Sequence, residues 1–246
     1  MNIKWDAKGY TDNFSFVHQY GGALLEMIAR EGTVLDLGCG NGALTQKLSE
    51  RGLKAIGLDA SAELLEIARA NYPNLTFIHG DATDFALDEP VDVVFSNAVF
   101  HWIDAMKQPS MLACVHRALK DGGQFVFEFG GHGNNARIHA ALDKAFAKRG
   151  LKYAIPFYFP SIGEYAQMLE AAGFKVEYAR LFDRPTELTG DDGLADWIRM
   201  FVKVPFEGVS QKDEIIREAV EGLRGGLYQS GKWYADYVRI RMKAVK

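Results

Sequence analysis

The segment Val34–Leu44, Val-Leu-Asp-Leu-Gly-Cys-Gly-Asn-Gly-Ala-Leu, restricts what the chain can fold into more than any other. The apolar run from Thr33 to Leu37 predicts a buried strand, and the three glycines behind it require that strand to stop abruptly. Gly38 and Gly40 open backbone angles closed to other residues, and Gly42 lets the following helix start close to a ligand. Such a strand, turn and helix form a nucleotide-type element at the carboxyl edge of an open α/β sheet.

Two ligand classes fit the turn by itself. Gly38-x-Gly40-x-x-Ala43 satisfies the loose dinucleotide pattern with alanine in the last place, so an NAD-dependent dehydrogenase is one reading. Three surrounding features favour S-adenosylmethionine instead. Asp36 stands two residues before the first glycine, beside the tighter Gly-x-Gly-x-Gly spacing. A second strand, residues 54–58, runs into Asp59, where one carboxylate can grip both ribose hydroxyls; NAD sites share that acid. After a third strand, residues 75–79, Gly80-Asp81-Ala82 offers a carboxylate for the adenine amino group and a backbone N–H for a ring nitrogen. The dehydrogenase reading leaves that last element unexplained. A fourth strand from Val91 to Phe95 brings Ser96 and Asn97 to the same edge.

In this order the elements resemble the class I S-adenosylmethionine-dependent methyltransferases through most of the chain. The resemblance implies that Gly38, Cys39, Gly40, Asn41 and Gly42 hold the methionine part of the cofactor, with Asp36 just beneath. It implies that Asp59, with Ala60 beside it, takes the ribose, and that Asp81 and Ala82 take the adenine. Asn97 either contacts the methionine moiety or caps the next helix. Three further motifs are similar to the small-molecule group that includes trans-aconitate methyltransferase. They are Trp5-Asp6-x-x-x-Tyr10, Phe100-His101-Trp102 and the ending Trp233-x-Ala235-Asp236-Tyr237-Val238-Arg239. That likeness implies a small acceptor, with a carboxylate as one candidate.

At 246 residues, 48% of them hydrophobic, the chain is long enough for one well-buried core with additions. The net charge of −4, without a run of lysine and arginine, argues against nucleic acid as a partner, because phosphate contacts supply most of that affinity. A Pro-Pro-aromatic element after the fourth strand, as a nucleic-acid amino-methyltransferase would carry, is also missing: Ala98-Val99-Phe100 follows Asn97. The first fifteen residues have no signal-like apolar core, and no segment approaches the roughly twenty apolar residues of a membrane span, so a cytoplasmic protein without membrane partners is expected. The two cysteines make no disulfide framework, and neither Cys nor His shows metal-ligand spacing, so no metal is expected. Oligomeric state is not encoded in any pattern found.

Strands at 33–37, 54–58, 75–79, 91–96 and 123–129 alternate with helices, predicting a Rossmann-like, seven-stranded, mostly parallel α/β sheet covered on both faces. Near the end, Val238, Ile240, Met242 and Ala244 alternate with Arg239, Arg241 and Lys243, predicting an antiparallel last strand beside the sixth, at about 175–182. Between them lies a helical insertion at about 186–231. Its helices are read from Leu194, Trp197, Ile198, Phe201 and Val202, and from Ile215, Ile216, Ala219, Val220 and Leu223 behind a capping box of Ser210 and Asp213. Gly225-Gly226 is expected to stop the second helix, and Ser161 with Glu164 to start another. The whole is read as one domain, residues 1–246, with an N-terminal helical lid at about 1–31 and the insertion as a helical cap over the carboxyl edge.

His101, flanked by Phe100 and Trp102, is the candidate base. A packed, hydrogen-bonded role is the competing reading, and a carboxylate or thiolate acceptor would need no base. Arg199 and Arg239 could each meet an anionic acceptor, and no sequence pattern selects between them. A non-catalytic, cofactor-binding regulatory protein would carry the same pocket.

Overall fold

The structure, a computed structural model, describes residues 22–246. The Trp5/Tyr10 motif and residues 1–21 of the expected lid lie outside the described residues. Helix α1 (Gly22–Leu25) leads into β1 (Thr33–Leu37), α2 (Ala43–Glu50), β2 (Lys54–Asp59), α3 (Ala62–Asn71), β3 (Thr76–His79) and β4 (Val91–Asn97). There follow α4 (Gln108–Ala118), β5 (Leu119–Gly130), α5 (Ala136–Ala147), α6 (Ile162–Ala171) and β6 (Lys175–Leu188). The chain ends with α7 (Gly193–Phe201), α8 (Lys212–Leu227), β7 (Tyr228–Gln229) and β8 (Lys232–Val245).

The strand order is β3-β2-β1-β4-β5-β8-β6, with β7 as a short hairpin partner of β8. Strands β1 to β5 pair in parallel, and β8 enters antiparallel between β5 and β6. The order reverses between β1 and β4, and the crevice at that switch point is where open α/β sheets bind ligands. Leu35, Leu37, Val94, Phe125 and Phe127 are buried in one core cluster; Val34, Val93, Phe95 and Val126 point to the other face and bury Leu24 and Leu25 of α1. Covering on both faces explains why these strands read as almost unbroken apolar runs.

Residues 22–31 therefore pack on the sheet face. Ala29 N–H donates to the Gln124 side chain and Thr33 N–H to Asp92, which ties this segment to the entrance of β1 and away from the carboxyl edge.

Strands β6 and β8 run past the sheet. They pair from Lys175↔Val245 to Leu188↔Trp233, whereas β5 meets β8 only from Gln124↔Val245 to Gly130↔Arg239. Beyond Gly130 the two strands continue as a ribbon that carries the insertion, which begins after Leu188 and so is shorter than its polar sequence suggested. Along β8 the buried side changes: Trp233, Ala235 and Tyr237 pack into the cap cluster, whereas Ile240, Met242 and Ala244 pack into the sheet core. Val238, expected on the core face, is only half-buried, and Arg239 is buried at the crossover.

Two helix-end expectations fail. Gln211 precedes α8 with no side-chain cap, so Ser210 and Asp213 form no capping box. The helix also runs through Gly225 and Gly226 to Leu227, because burial of Leu223 and Leu227 in the cap cluster outweighs a glycine penalty of about 1 kcal/mol each. The Ser161/Glu164 box is present in both directions: Glu164 N–H donates to Ser161 Oγ at 3.3 Å and Ser161 N–H to Glu164 Oε2 at 2.7 Å.

Candidate active site

Strand β1 ends in a cradle. Gly38, Gly40 and Gly42 all have positive φ, at 79°, 54° and 81°. The N–H groups of Gly38 and Cys39 both donate to Leu58 O, at 2.7 and 3.1 Å, tying the turn to β2. A side chain at Gly38 would strike Val99 at 2.2 Å, and one at Gly42 would strike Phe77 at 2.8 Å; above Gly40 the first atom is Leu64 Cδ1 at 4.0 Å. Two of the glycines thus serve packing, and the third faces open space of the kind a ligand's atoms would fill.

The acids meet that cradle at different depths. Asp59 Oδ2 accepts from Gly40 N–H and Oδ1 from Ser61 N–H, each at 2.8 Å, and burial raises the Asp59 pKa. Asp36 is almost wholly buried below, accepts from Thr45 Oγ1 at 2.7 Å, and is pushed up to about 7, chiefly by that burial. Gly80 N–H donates to Asp59 O, and His79 Nε2 lies 3.0 Å from Ala60 O, so the loops after β2 and β3 meet at one edge. There Asp81 is exposed, its Oδ1 held at 2.8 Å by both the N–H and the hydroxyl of Thr83; the backbone bond is the main cause of its lowered pKa. Ala82 packs against the sheet core. Cys39 is buried with its thiol pKa raised well above the ordinary range by desolvation, which suits a small packing residue. Asn41 accepts from Ala43 N–H at 3.3 Å in the first turn of α2. Asn97 pairs across from Glu128; the following 3₁₀ turn, Phe100–Trp102, is preceded by Val99, so Asn97 is not its cap. An open cradle over Gly40 flanked by a half-buried diol acceptor fits S-adenosylmethionine.

Beside the cradle lies a cavity open to solvent, lined by residues that follow β4 and β5, by the middle of β8, by α7, and by the loop before α6. Its walls are aromatic: Trp102 stands edge-on to Phe157 at 4.9 Å, and Phe157 stacks with Phe159 at 5.5 Å. Ala98 on the lining is held at φ 62°, its N–H donating to Glu128 O at 2.7 Å. Glu128 is anchored in turn by ion pairs to Arg184 and Arg241.

The polar groups on the wall include a cation and an imidazole. His101 is buried, and desolvation followed by the nearby Arg239 charge lowers its pKa well below the usual imidazole value. Its Nδ1 accepts from Gly130 N–H at 3.4 Å, which leaves the ring proton on Nε2. Tyr237 oxygen accepts from Trp197 Nε1 at 2.6 Å. The Arg239 guanidinium lies 4.2 Å above the Tyr237 ring. Among the described residues the lining holds no Asp or Glu. Of the two arginines left open by the sequence, Arg239 reaches the cavity, whereas Arg199 is exposed and pairs with Asp196 and Asp213.

Sequence reasoning missed Asn134, Asn135, Phe157 and Phe159. The signal was the run Gly130-Gly131-His132-Gly133-Asn134-Asn135 at the carboxyl end of β5, a turn rich enough in glycine and asparagine to mark a built loop at the binding edge.

The methyltransferase domain family matches residues 34–123. An uncharacterized methyltransferase of Schizosaccharomyces pombe is 35% identical over a 259-residue alignment that covers 98% of each chain. A trans-aconitate 2-methyltransferase of Deinococcus radiodurans is 31% identical over 186 residues, 70% of each chain. Among solved structures, the YcgJ protein of Bacillus subtilis superimposes with a TM-score of 0.67 over 93% of this chain and 98% of its own, at 19% identity. With the glycine cradle, the Asp59 carboxylate bonded to it and a likeness that covers 98% of the chain, the chain belongs to the S-adenosylmethionine-dependent methyltransferases.

Proposed function

We propose that the acceptor is a small carboxylic acid and that the product is its methyl ester. The observation that carries this reading is the lining of the cavity: it includes the Arg239 guanidinium and the polar groups of His101 and Tyr237, and none of the described residues that line it is acidic. A cationic amine placed there would meet a guanidinium in a low-dielectric site, with no carboxylate among the described lining residues to balance it. A carboxylate gains a charge-assisted hydrogen bond from the guanidinium. The trans-aconitate 2-methyltransferase relative supports the same class of acceptor. The narrow aromatic cavity and the net charge of −4 favour a small molecule over nucleic acid.

Bound S-adenosylmethionine supplies an electrophilic methyl group on a sulfonium. The chain's own part is to hold the carboxylate in line. Transfer of that methyl group to a carboxylate oxygen, with the electron pair of the broken S–C bond left on sulfur, would exchange no proton, so the chain would need no general base. Arg239 and the His101 Nε2–H orient the anion, and the rings of Trp102, Phe157 and Phe201 exclude water from a step in which charge disappears. Orientation of this kind supplies up to about 7–11 kcal/mol in favourable systems.

Incubation with methyl-labelled cofactor and a panel of carboxylic acids, amines and thiols tests the assignment. Label transferred to an acid and released as methanol by mild alkali is the expected result; transfer confined to amines or thiols would overturn it.

A further inference from the structure

A residue that normally caps a helix stands before α5 and caps nothing. Asn135 occupies the N-cap place with left-handed angles, φ 54° and ψ 30°, and its side chain makes no capping hydrogen bond. That task has passed to β8: Asp236 Oδ2 accepts from Arg137 N–H at 2.8 Å, and Asp236 O accepts from Asn135 N–H at 2.9 Å. The Asn135 side chain is thereby released. It is 98% buried, lines the cavity, and its Oδ1 has no partner. One turn along α5, His139 is also buried; its Nδ1 meets Tyr153 OH at 2.7 Å, its Nε2 is unpartnered, and its ring packs against Phe157 and Phe159 of the cavity wall. A strained backbone angle and an unsatisfied buried amide at one residue are two unfavourable features with no return inside the protein.

From this, and on the basis of the carboxylate reading above, we propose that Asn135 is a specificity-determining residue that hydrogen-bonds a second, uncharged group of the acceptor, a hydroxyl or amide N–H. A second carboxylate is disfavoured at this end. Asp236 holds its own carboxylate in the first turn of α5, with Oδ1 already buried and unpartnered. Arg137, the nearest cation on that turn, directs its guanidinium to Gly226 O. The acceptor is therefore an acid with an apolar body, matched to the aromatic walls, and a neutral donor apart from its reacting carboxylate.

The test uses the full-length protein with S-adenosylhomocysteine bound, so that no turnover occurs, and calorimetry of matched acids. Benzoate is compared with its 3- and 4-hydroxy derivatives, and 3-phenylpropanoate with its 4-hydroxyphenyl counterpart. At least one hydroxylated member should bind about tenfold tighter than its parent, the gain expected when a buried acceptor is satisfied. Asn135→Gly removes the amide and relieves the left-handed angle, so the variant should be no less stable than the parent protein. In it the preference should vanish, the hydroxylated acids binding no tighter than their parents. Acids that bind with no preference for the hydroxyl, or a preference that survives in Asn135→Gly, would overturn the proposal and leave the carboxylate reading standing. Failure of every acid to bind would overturn both.

Discussion

The backbone N–H of Gly130 donates to Nδ1 of His101 at 3.4 Å, across the junction between β5 and the turn after β4. That contact fixes the use of the imidazole. A nitrogen that accepts from a backbone amide is not available to take a proton, and burial beside Arg239 keeps the ring neutral. His101 is a donor through Nε2. The turnover number should then be flat from about pH 6 to 9, and His101→Gln, which retains an N–H, should raise KM with kcat within about tenfold. Steady-state kinetics across pH decide this; a loss of about a hundredfold or more in kcat, with an acid limb in the wild-type profile, would restore the general base.

Asp36 makes stability fall as pH rises. Its carboxyl titrates near 7 in the folded protein against 3.8 as the ordinary value, and desolvation is the leading cause. Between those pH values the unfolded chain has lost a proton that the native chain keeps, so the penalty grows from about pH 4 and is complete above about pH 7, at about 4 kcal/mol. Asp36→Asn keeps an acceptor for Thr45 and removes the charge. Urea titrations should show the variant more stable than wild type at pH 8 and little different at pH 4. An equal gap at both would mean the carboxylate is ionised throughout.

The cradle separates binding from folding by glycine. Gly40→Ala points its methyl into open space and adds strain of about 1 kcal/mol at a positive φ, so cofactor affinity should collapse while the melting temperature falls modestly. Gly38→Ala drives a methyl into Val99 and should cost mainly stability. Equilibrium dialysis with S-adenosylhomocysteine beside thermal melts checks both, and normal binding by Gly40→Ala would move the pocket elsewhere.

Much of this site was legible because its residues sit where the chain has few choices. A glycine turn ending an apolar run can be read from order and spacing alone, and so can an acid at the end of the next strand. The full ribbon of β6 and β8 was not legible: the sixth strand was read only to about 182 and the insertion from about 186, and it is the pairing with β8 that carries the strand on to Leu188. Arg239 was hidden by its own alternation. Period two assigns a residue to a face, but the buried face changes at Arg239, where the strand leaves the cap and enters the sheet. Asn135 and Phe159 lie on two loops, one on either side of α5, whose positions depend on contacts far along the chain, such as Val238 N–H to Asn134 Oδ1 at 2.9 Å and Tyr158 N–H to His101 O at 3.0 Å.

Asp59 and Asp81 should differ in weight, although spacing alone gives them like roles. Asp59 is half-buried and bonded to the cradle, so Asp59→Ala strands two backbone donors as well as the ribose, and affinity should fall by about tenfold or more. Asp81 is exposed and engaged in its own turn, so Asp81→Ala should weaken binding less. Calorimetry with S-adenosylhomocysteine gives the order, and a larger loss at Asp81 would shift the main anchor to the adenine end.

The cap should open by one helix. Helix α8 lies along α5, with Glu218 paired to Lys148 and Arg149, and it buries Ile215, Ile216 and Leu223 in the cap cluster. Surface ion pairs add little, at about 0–1 kcal/mol, so burial is what seats it. Helix α7 buries Leu194 and Ile198 in the same cluster, and its Trp197 and Phe201 line the cavity. An entrance must open for exchange, and α7, the helix on the cavity wall, is the one to move. Hydrogen exchange should therefore show α7 gaining protection when S-adenosylhomocysteine and a bound acid are added together, while α8 and β4 stay slow throughout. Equal protection of α7 with and without ligands would make the cap a fixed wall and direct entry to the loop before α6.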